Sequence, residues 1–134
     1  RVKDRLEKGL LVEDTDALSI VDERLAYDDC KNGFVLDGAP RDIFQANSMK
    51  VSIDQVIYIV VSDAECVNRM VLRGREDDTE GLIKVRLAEY HKQTESVLDF
   101  YRDQNKLIEV NGESGVEEIA GEIWKKIQSY EFRV

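Results

Sequence analysis

The run Val56-Ile57-Tyr58-Ile59-Val60-Val61 constrains this chain more than any other segment. Its side chains are β-branched or aromatic and do not alternate with polar ones, which is how a strand covered on both faces reads. Two shorter runs share its character: Phe34-Val35-Leu36-Asp37 and Leu107-Ile108-Glu109-Val110-Asn111. Helical periodicities lie between and around them. Leu18, Val21 and Leu25 mark one helix, with Asp14 or Thr15 as its N-cap, and a long helical stretch covers roughly Thr79 to Gln104. Val116, Ile119, Ala120, Ile123 and Ile127 draw an apolar stripe along the last helix. Strands alternating with helices predict an α/β fold with a parallel sheet. Three strands are few for such a sheet, since each needs cover on both faces.

At 134 residues and 43% hydrophobic content, the chain is sized for one domain with a real core. No repeat, low-complexity tract or linker divides it, so residues 1–134 are read as a single domain. Charged residues make up 35% of the chain and the net charge is −9. That balance argues against nucleic-acid binding, because a phosphate backbone selects a basic surface. Any anion must therefore be caught locally. Cys30 and Cys66 are far apart and form no CxxC pair, so two buried thiols in a reducing compartment are expected. The longest apolar run is far too short to cross a membrane, and RVKDRLEKG is not a signal-peptide start. A soluble cytoplasmic protein with no membrane partner is the expectation.

Ligands of open α/β sheets bind beyond the carboxyl ends of the strands, where Asp37 and Gly38 fall. Gly38 lets a ligand approach the backbone, and Pro40, the only proline, presets the first turn of a following helix. Arg41 offers a planar fork suited to phosphate. Gln45, four residues on and on the same helix face, carries a carboxamide that matches the N1 and N6 edge of adenine. A second constellation, MVLRGREDDTEGLIKVRL, gathers Arg69, Arg73, Arg75 and Arg86 among Glu76, Asp77 and Asp78. Four arginines rather than lysines suggest bidentate recognition of phosphate or carboxylate, as phosphoryl transfer requires. The plainer alternative is a solvated helix laced with salt bridges, but Gly74 breaks the helix between Arg73 and Arg75.

Together these stretches resemble the adenylate kinases, nucleoside-monophosphate kinases of the phosphate-loop class. Gly9-Leu-Leu-Val12 with Asp14 resembles the family's G-x-L-V-P-D-E. Asp29-Cys30 and Gly33-Phe-Val-Leu-Asp-Gly-Ala-Pro-Arg41 with Gln45-Ala46 resemble D-G-F-P-R-T-x-x-Q-A. Arg73 with Gly74-Arg75-Glu-Asp-Asp78 resembles R…G-R-x-D-D, and Lys84-Val-Arg86-Leu-x-x-Tyr90 resembles K-x-R-L-x-x-Y; Thr94 and Tyr101 fit the segment that follows. The resemblance implies transfer between ATP and AMP, giving ADP, with magnesium, by a cytoplasmic monomer. It assigns Leu11, Val12, Gly38, Arg41, Gln45, Arg75 and Arg86 to AMP. It assigns Arg69, Arg73 and the neighbourhood of Ser114 to ATP, and makes Arg41, Arg73, Arg75 and Arg86 the catalytic set. Asp37 would orient water on the magnesium ion, and Asp77 and Asp78 would position the arginines. By the same resemblance residues 1–33 belong to the AMP-binding region and 34–134 to the core.

The chain also departs from the family pattern. Glu13 stands for a proline, Thr15 for a glutamate and Ala39 for an aromatic residue, and the lid shrinks to a minimal segment at 73–76. No glycine-rich phosphate loop with its lysine, and no strand leading into one, occurs in these residues. The sheet is therefore expected to be incomplete, with an open seam, and Arg1 is expected not to be the natural start unless another polypeptide supplies the strand. Two other readings follow: a module that holds AMP or ADP without transfer, or an interaction piece completed by a partner strand. His91, the only histidine, is expected at the surface without a catalytic role, and Trp124 and Phe132 as core or edge packing. Asn111-Gly112 reads as a turn.

Overall fold

A computed structural model describes residues 2–8 and 13–129. Leu11, Val12 and Phe132 lie outside the described residues. The described chain is α/β: a small parallel sheet flanked by helices. Strands β1 (Val56–Val60) and β2 (Leu107–Asn111) pair in parallel, with Val56 opposite Leu107 and Val60 opposite Asn111. The crossover between them carries α4 (Asp63–Arg73), α5 (Glu80–Glu89), a π turn (Tyr90–Thr94) and α6 (Glu95–Arg102). Helices α1 (Val2–Glu7), α2 (Asp14–Leu25) and α3 (Ile43–Ser48) precede the sheet, and α7 (Val116–Gln128) packs on β2. No helix among the described residues is long and apolar enough to cross a membrane.

The core draws its buried apolar side chains from α5, α6 and β2, with α6 packed on β2. Ile83 of α5, Val97 and Tyr101 of α6, and Val110 of β2 are the buried apolar side chains. Ile83 and Val110 are wholly excluded from solvent. Beyond β2, Gly112 continues the ladder by donating to Val60 O at 2.9 Å. A Cβ there would stand 2.4 Å from Ile59 Cγ2 and 2.6 Å from Val61 Cγ2. Asn111-Gly112 is thus a turn with a packing demand, closed as Asn111 Oδ1 accepts the Glu113 N–H at 2.9 Å.

Several expectations change. Phe34–Asp37 forms no strand and joins no ladder among the described residues, and Val35 is 97% exposed. A strand needs a partner for its backbone groups, and the described sheet contains only β1 and β2. The helix N-cap ahead of α2 is Glu13, not Asp14 or Thr15. Pro40 does not open a helix. Asp42 is the N-cap of α3, its carboxylate accepting the Gln45 N–H at 2.8 Å, so the helix begins at Ile43 and Arg41 lies outside it. The long helical stretch is interrupted by the π turn and ends at Arg102. Cys30 and Cys66 are half-buried rather than buried, one in a surface turn and one on α4. Trp124 is 64% exposed because Ile119, Ile123 and Ile127 define the inward side of α7 and leave it outside.

His91 is partly exposed, as expected, yet it ties elements together. From the π turn it meets Asp63, the first residue of α4, through Nε2 at 2.7 Å, and Glu95, the first of α6, through Nδ1. Glu95 first and Asp63 second raise its pKa above the ordinary imidazole value.

Two predictions follow from this packing. Gly112→Ala should force Ile59 and Val61 aside and cost about 1–3 kcal/mol, as read by urea denaturation; an unchanged midpoint would remove the close-approach argument. A raised native pKa at His91 contributes stability that is complete below the unfolded value, about 6.5, and is lost as pH rises through the folded value. Melts should therefore show wild type losing more stability than His91→Gln as pH rises above about 6.5. Equal losses would mean that the two carboxylates do not hold the ring in solution.

Candidate functional site

The arginine constellation folds around one acid. The Asp78 side chain is fully buried, in the short link 74–79 between α4 and α5. Arg73 grips it with both edges of a fork, Nε to Oδ2 at 2.7 Å and Nη2 to Oδ1 at 2.6 Å. The Arg75 backbone N–H donates to Oδ2 at 3.2 Å, and Arg86 Nη1 to Oδ1 at 3.0 Å. Arg86 also donates to the Asp77 carbonyl and pairs with its carboxylate at 3.0 Å. Arg73 foremost, then Arg86 and the Arg75 N–H, hold the Asp78 carboxyl far below the usual carboxylate range against the opposing effect of burial. The same pairing raises Arg73.

Local sequence explains why these groups meet. Gly74 ends α4 in the left-handed region, at φ 67°, and donates its N–H to Met70 O. The chain then turns back, Asp78 N–H returning to Arg75 O at 2.9 Å, before Thr79 caps α5. Arg73 ends the first helix, and Arg86 lies on the second within reach of the link. The turn thus brings Arg73, Arg75, Arg86, Asp77 and Asp78 into one cluster.

A second cluster forms at the start of α3. Gly38 adopts φ 97°, and an added Cβ would lie 3.3 Å from Arg41 Nη2. Arg41 Nε donates to Gly38 O at 2.6 Å, so the arginine side chain folds back over the glycine. Arg41 and Gln45 do not share a helix face; they are joined because the Arg41 N–H donates to Gln45 Oε1 at 2.8 Å. Gln45, only 3% exposed, also donates through Nε2 to Asp14 Oδ1 at 3.0 Å. This bond from α2 is invisible in local sequence, since 31 positions separate the pair. Thr94 of the π turn donates its hydroxyl to Arg41 O at 2.6 Å and fixes this loop to the helical layer.

Arg69 is on α4, paired with Glu65 at 2.8 Å. Glu113, whose carboxylate accepts the Ser62 N–H at 3.0 Å, is lowered first by the Ser62 side chain, next by that N–H, and to a lesser extent by Arg69. Arg69 and the loop containing exposed Ser114 therefore lie on one side of the molecule. Asp37 is exposed, next to Gly38. No three His, Cys, Asp or Glu residues among the described ones converge to form a metal cage. An exposed carboxylate does fit a hydrated magnesium ion carried by nucleotide phosphates, because that ion keeps most of its water.

The sequence as a whole places the chain among known proteins. The family model described as "Adenylate kinase" matches residues 1–106. An adenylate kinase of Leptospira biflexa is 38% identical over 136 residues, covering 93% of this chain and 73% of the relative. Adenylate kinase 1 of Synechocystis is 37% identical over 135 residues, covering 96% and 72%. An adenylate kinase of Acetivibrio thermocellus is 32% identical over 161 residues, covering 92% and 74%. That last alignment is longer than this chain's 134 residues, so the Acetivibrio protein carries residues without counterparts here. The matches span most of the chain, including both clusters, and the chain belongs to the adenylate kinase family.

Proposed function

We propose that this protein transfers a phosphoryl group reversibly between ATP and AMP, acting with magnesium as a cytoplasmic monomer. The observation that carries the reading is the Asp78 cluster. One buried carboxylate holds Arg73, Arg86 and the backbone of Arg75 together, and phosphoryl transfer needs positive charge fixed in place before the reaction begins. Arg41 and Gln45 would hold the monophosphate and its adenine, with Leu11 and Val12 beside the base and Gly38 leaving room for it. Arg75 and Arg86 would also reach the AMP phosphate. Arg69 and the Ser114 loop would take the ATP base, and Arg73 its phosphates. Asp37 would hold magnesium through water; that ion supplies charge neutralisation on the phosphate oxygens. Residues 1–33 would belong to the AMP side and 34–134 to the core.

With only residues 74–79 between α4 and α5, little chain is available to close over the phosphates. Exclusion of water would be weak, and hydrolysis of ATP a measurable side reaction. A second reading, AMP or ADP binding without transfer, rests on one feature: the Arg41–Gln45–Asp14 cluster is built independently of the arginines around Asp78 and could hold a monophosphate by itself.

The test is ADP formation from ATP and AMP by the purified protein, with AMP binding measured in parallel by calorimetry. Transfer that falls by about 10²–10³ in Arg41→Ala supports the proposal, the loss expected when one preorganised donor is removed. AMP binding with no transfer leaves the binding reading. Turnover unaffected by Arg41→Ala would overturn the placement of the monophosphate.

A further inference from the structure

We propose that Asp14 is a specificity-determining positioning residue, which locks the Gln45 carboxamide in the orientation that accepts a 6-aminopurine and rejects a 6-oxopurine. The inference rests on Gln45 reading the base, as proposed above. It concerns what makes that reading selective.

A carboxamide is nearly symmetric in shape but not in chemistry: its oxygen only accepts and its nitrogen only donates. In an unrestrained glutamine the two ends exchange by rotation about the last bond. One orientation then answers adenine, accepting from the 6-amino group while donating to N1. The other answers a 6-oxopurine, donating to O6 while accepting from the N1–H. A free glutamine therefore discriminates poorly between the two classes.

Here the orientation is settled from both sides. The Arg41 backbone N–H faces Oε1 at 2.8 Å, and the Asp14 carboxylate faces Nε2 at 3.0 Å. Reversal would set a donor against a donor at Arg41 and an acceptor against the Asp14 carboxylate. Burial of Gln45 to 3% exposure removes the water that would otherwise relieve those clashes. Each end of the amide has spent one hydrogen-bonding position and retains another, an N–H on one side and an oxygen lone pair on the other. The retained pair is what a base edge would meet.

The neighbouring acids support this assignment. Asp42 caps α3 through the Gln45 N–H at 2.8 Å, fixing the residue's backbone, while Asp14 fixes the far end of its side chain. Burial, and next the Asp14 carboxyl beside it, push Asp42 above the ordinary carboxylate range. Two acids thus hold one residue, Asp14 by its side-chain amide and Asp42 by its backbone N–H. Asp14 is free to do so because the N-cap of α2 is Glu13, one residue earlier.

The experiment titrates the full chain with AMP and with IMP, its 6-oxo counterpart, and compares the affinity ratio in wild type, Asp14→Asn, Asp14→Glu and Gln45→Ala. Asp14→Asn preserves shape but faces Gln45 with an amide that accommodates either orientation. It should lower the AMP-over-IMP ratio by about tenfold or more, the value of a good bidentate base contact, chiefly through tighter IMP binding. Asp14→Glu, which retains the carboxylate, should restore part of the ratio. A thermal melt of each variant separates this from unfolding, because a merely structural loss weakens both nucleotides together. If Gln45→Ala abolishes the preference and Asp14→Asn leaves it intact, the lock is wrong and the base-reading stands. If Gln45→Ala also leaves the preference intact, or wild type binds neither nucleotide, the underlying reading of Gln45 fails, and the lock with it.

Discussion

A carboxylate taken out of water is costly unless charge and hydrogen bonds are returned to it, and Asp78 is the place where this fold meets that cost. Its two oxygens receive the Arg73 fork, the Arg75 N–H and the Arg86 guanidinium. None of those donors is placed by sequence adjacency alone. They converge because Gly74 releases α4 into a tight reversal and Thr79 restarts the helix as α5. Remove the acid, and Arg73 and Arg86 would repel each other across the α4–α5 link. The acid therefore decides whether the hairpin of helices closes, and the hairpin carries Ile83, which is wholly buried.

The π turn is the second junction. Tyr90 donates its hydroxyl to Tyr58 of β1 at 3.1 Å, and burial, then this bond, push the Tyr90 phenol above its ordinary value. His91 bridges the first residues of α4 and α6, and Thr94 reaches the Arg41 carbonyl. Three residues of one irregular turn, Tyr90, His91 and Thr94, thus join the sheet, the helical layer and the Arg41 loop. A regular α-helix through the same residues would rotate successive side chains differently and could not keep all of these directions. Single-turn π segments are often found at functional sites, and this one supports the loop assigned to the monophosphate.

How much of this was legible in the sequence depended on how local the cause was. β1 and β2 could be read from their runs because β-branched side chains favour the pleated strand, but the expected cover on both faces of β1 is not found, since Ile59 and Val60 are exposed. Phe34–Asp37 has similar composition, yet pairing is a property of two segments, and composition alone does not supply the second. The helix-breaking role of Gly74 was legible, since the reason lies in glycine itself. The start of α3 was not: Pro40 competes with Asp42 as a helix-opening signal, and the cap is settled by a hydrogen bond to Gln45. The resemblance narrowed the partners of the arginines to Asp77 and Asp78, but not to Asp78 alone, because both acids offer the same chemistry and only folding chooses which one is buried. The Asp14–Gln45 bond left no local trace at all.

The two clusters solve opposite problems in a chain with a net charge of −9. An acidic protein that must attract anions cannot rely on its overall field, so it needs positive groups whose charge is directed rather than merely present. Arg73 spends Nε and one Nη2 position on Asp78, and the donors of its Nη1 edge remain for an incoming anion. The acid consumes part of the charge but fixes the plane of the guanidinium, so the loss of rotational freedom is met during folding and not on binding. Around Gln45 the acids direct a neutral amide instead, where polarity and not charge would be read. In both places carboxylates that would repel a nucleotide if left facing it are turned inward, to orient the groups that the proposed function would set against it.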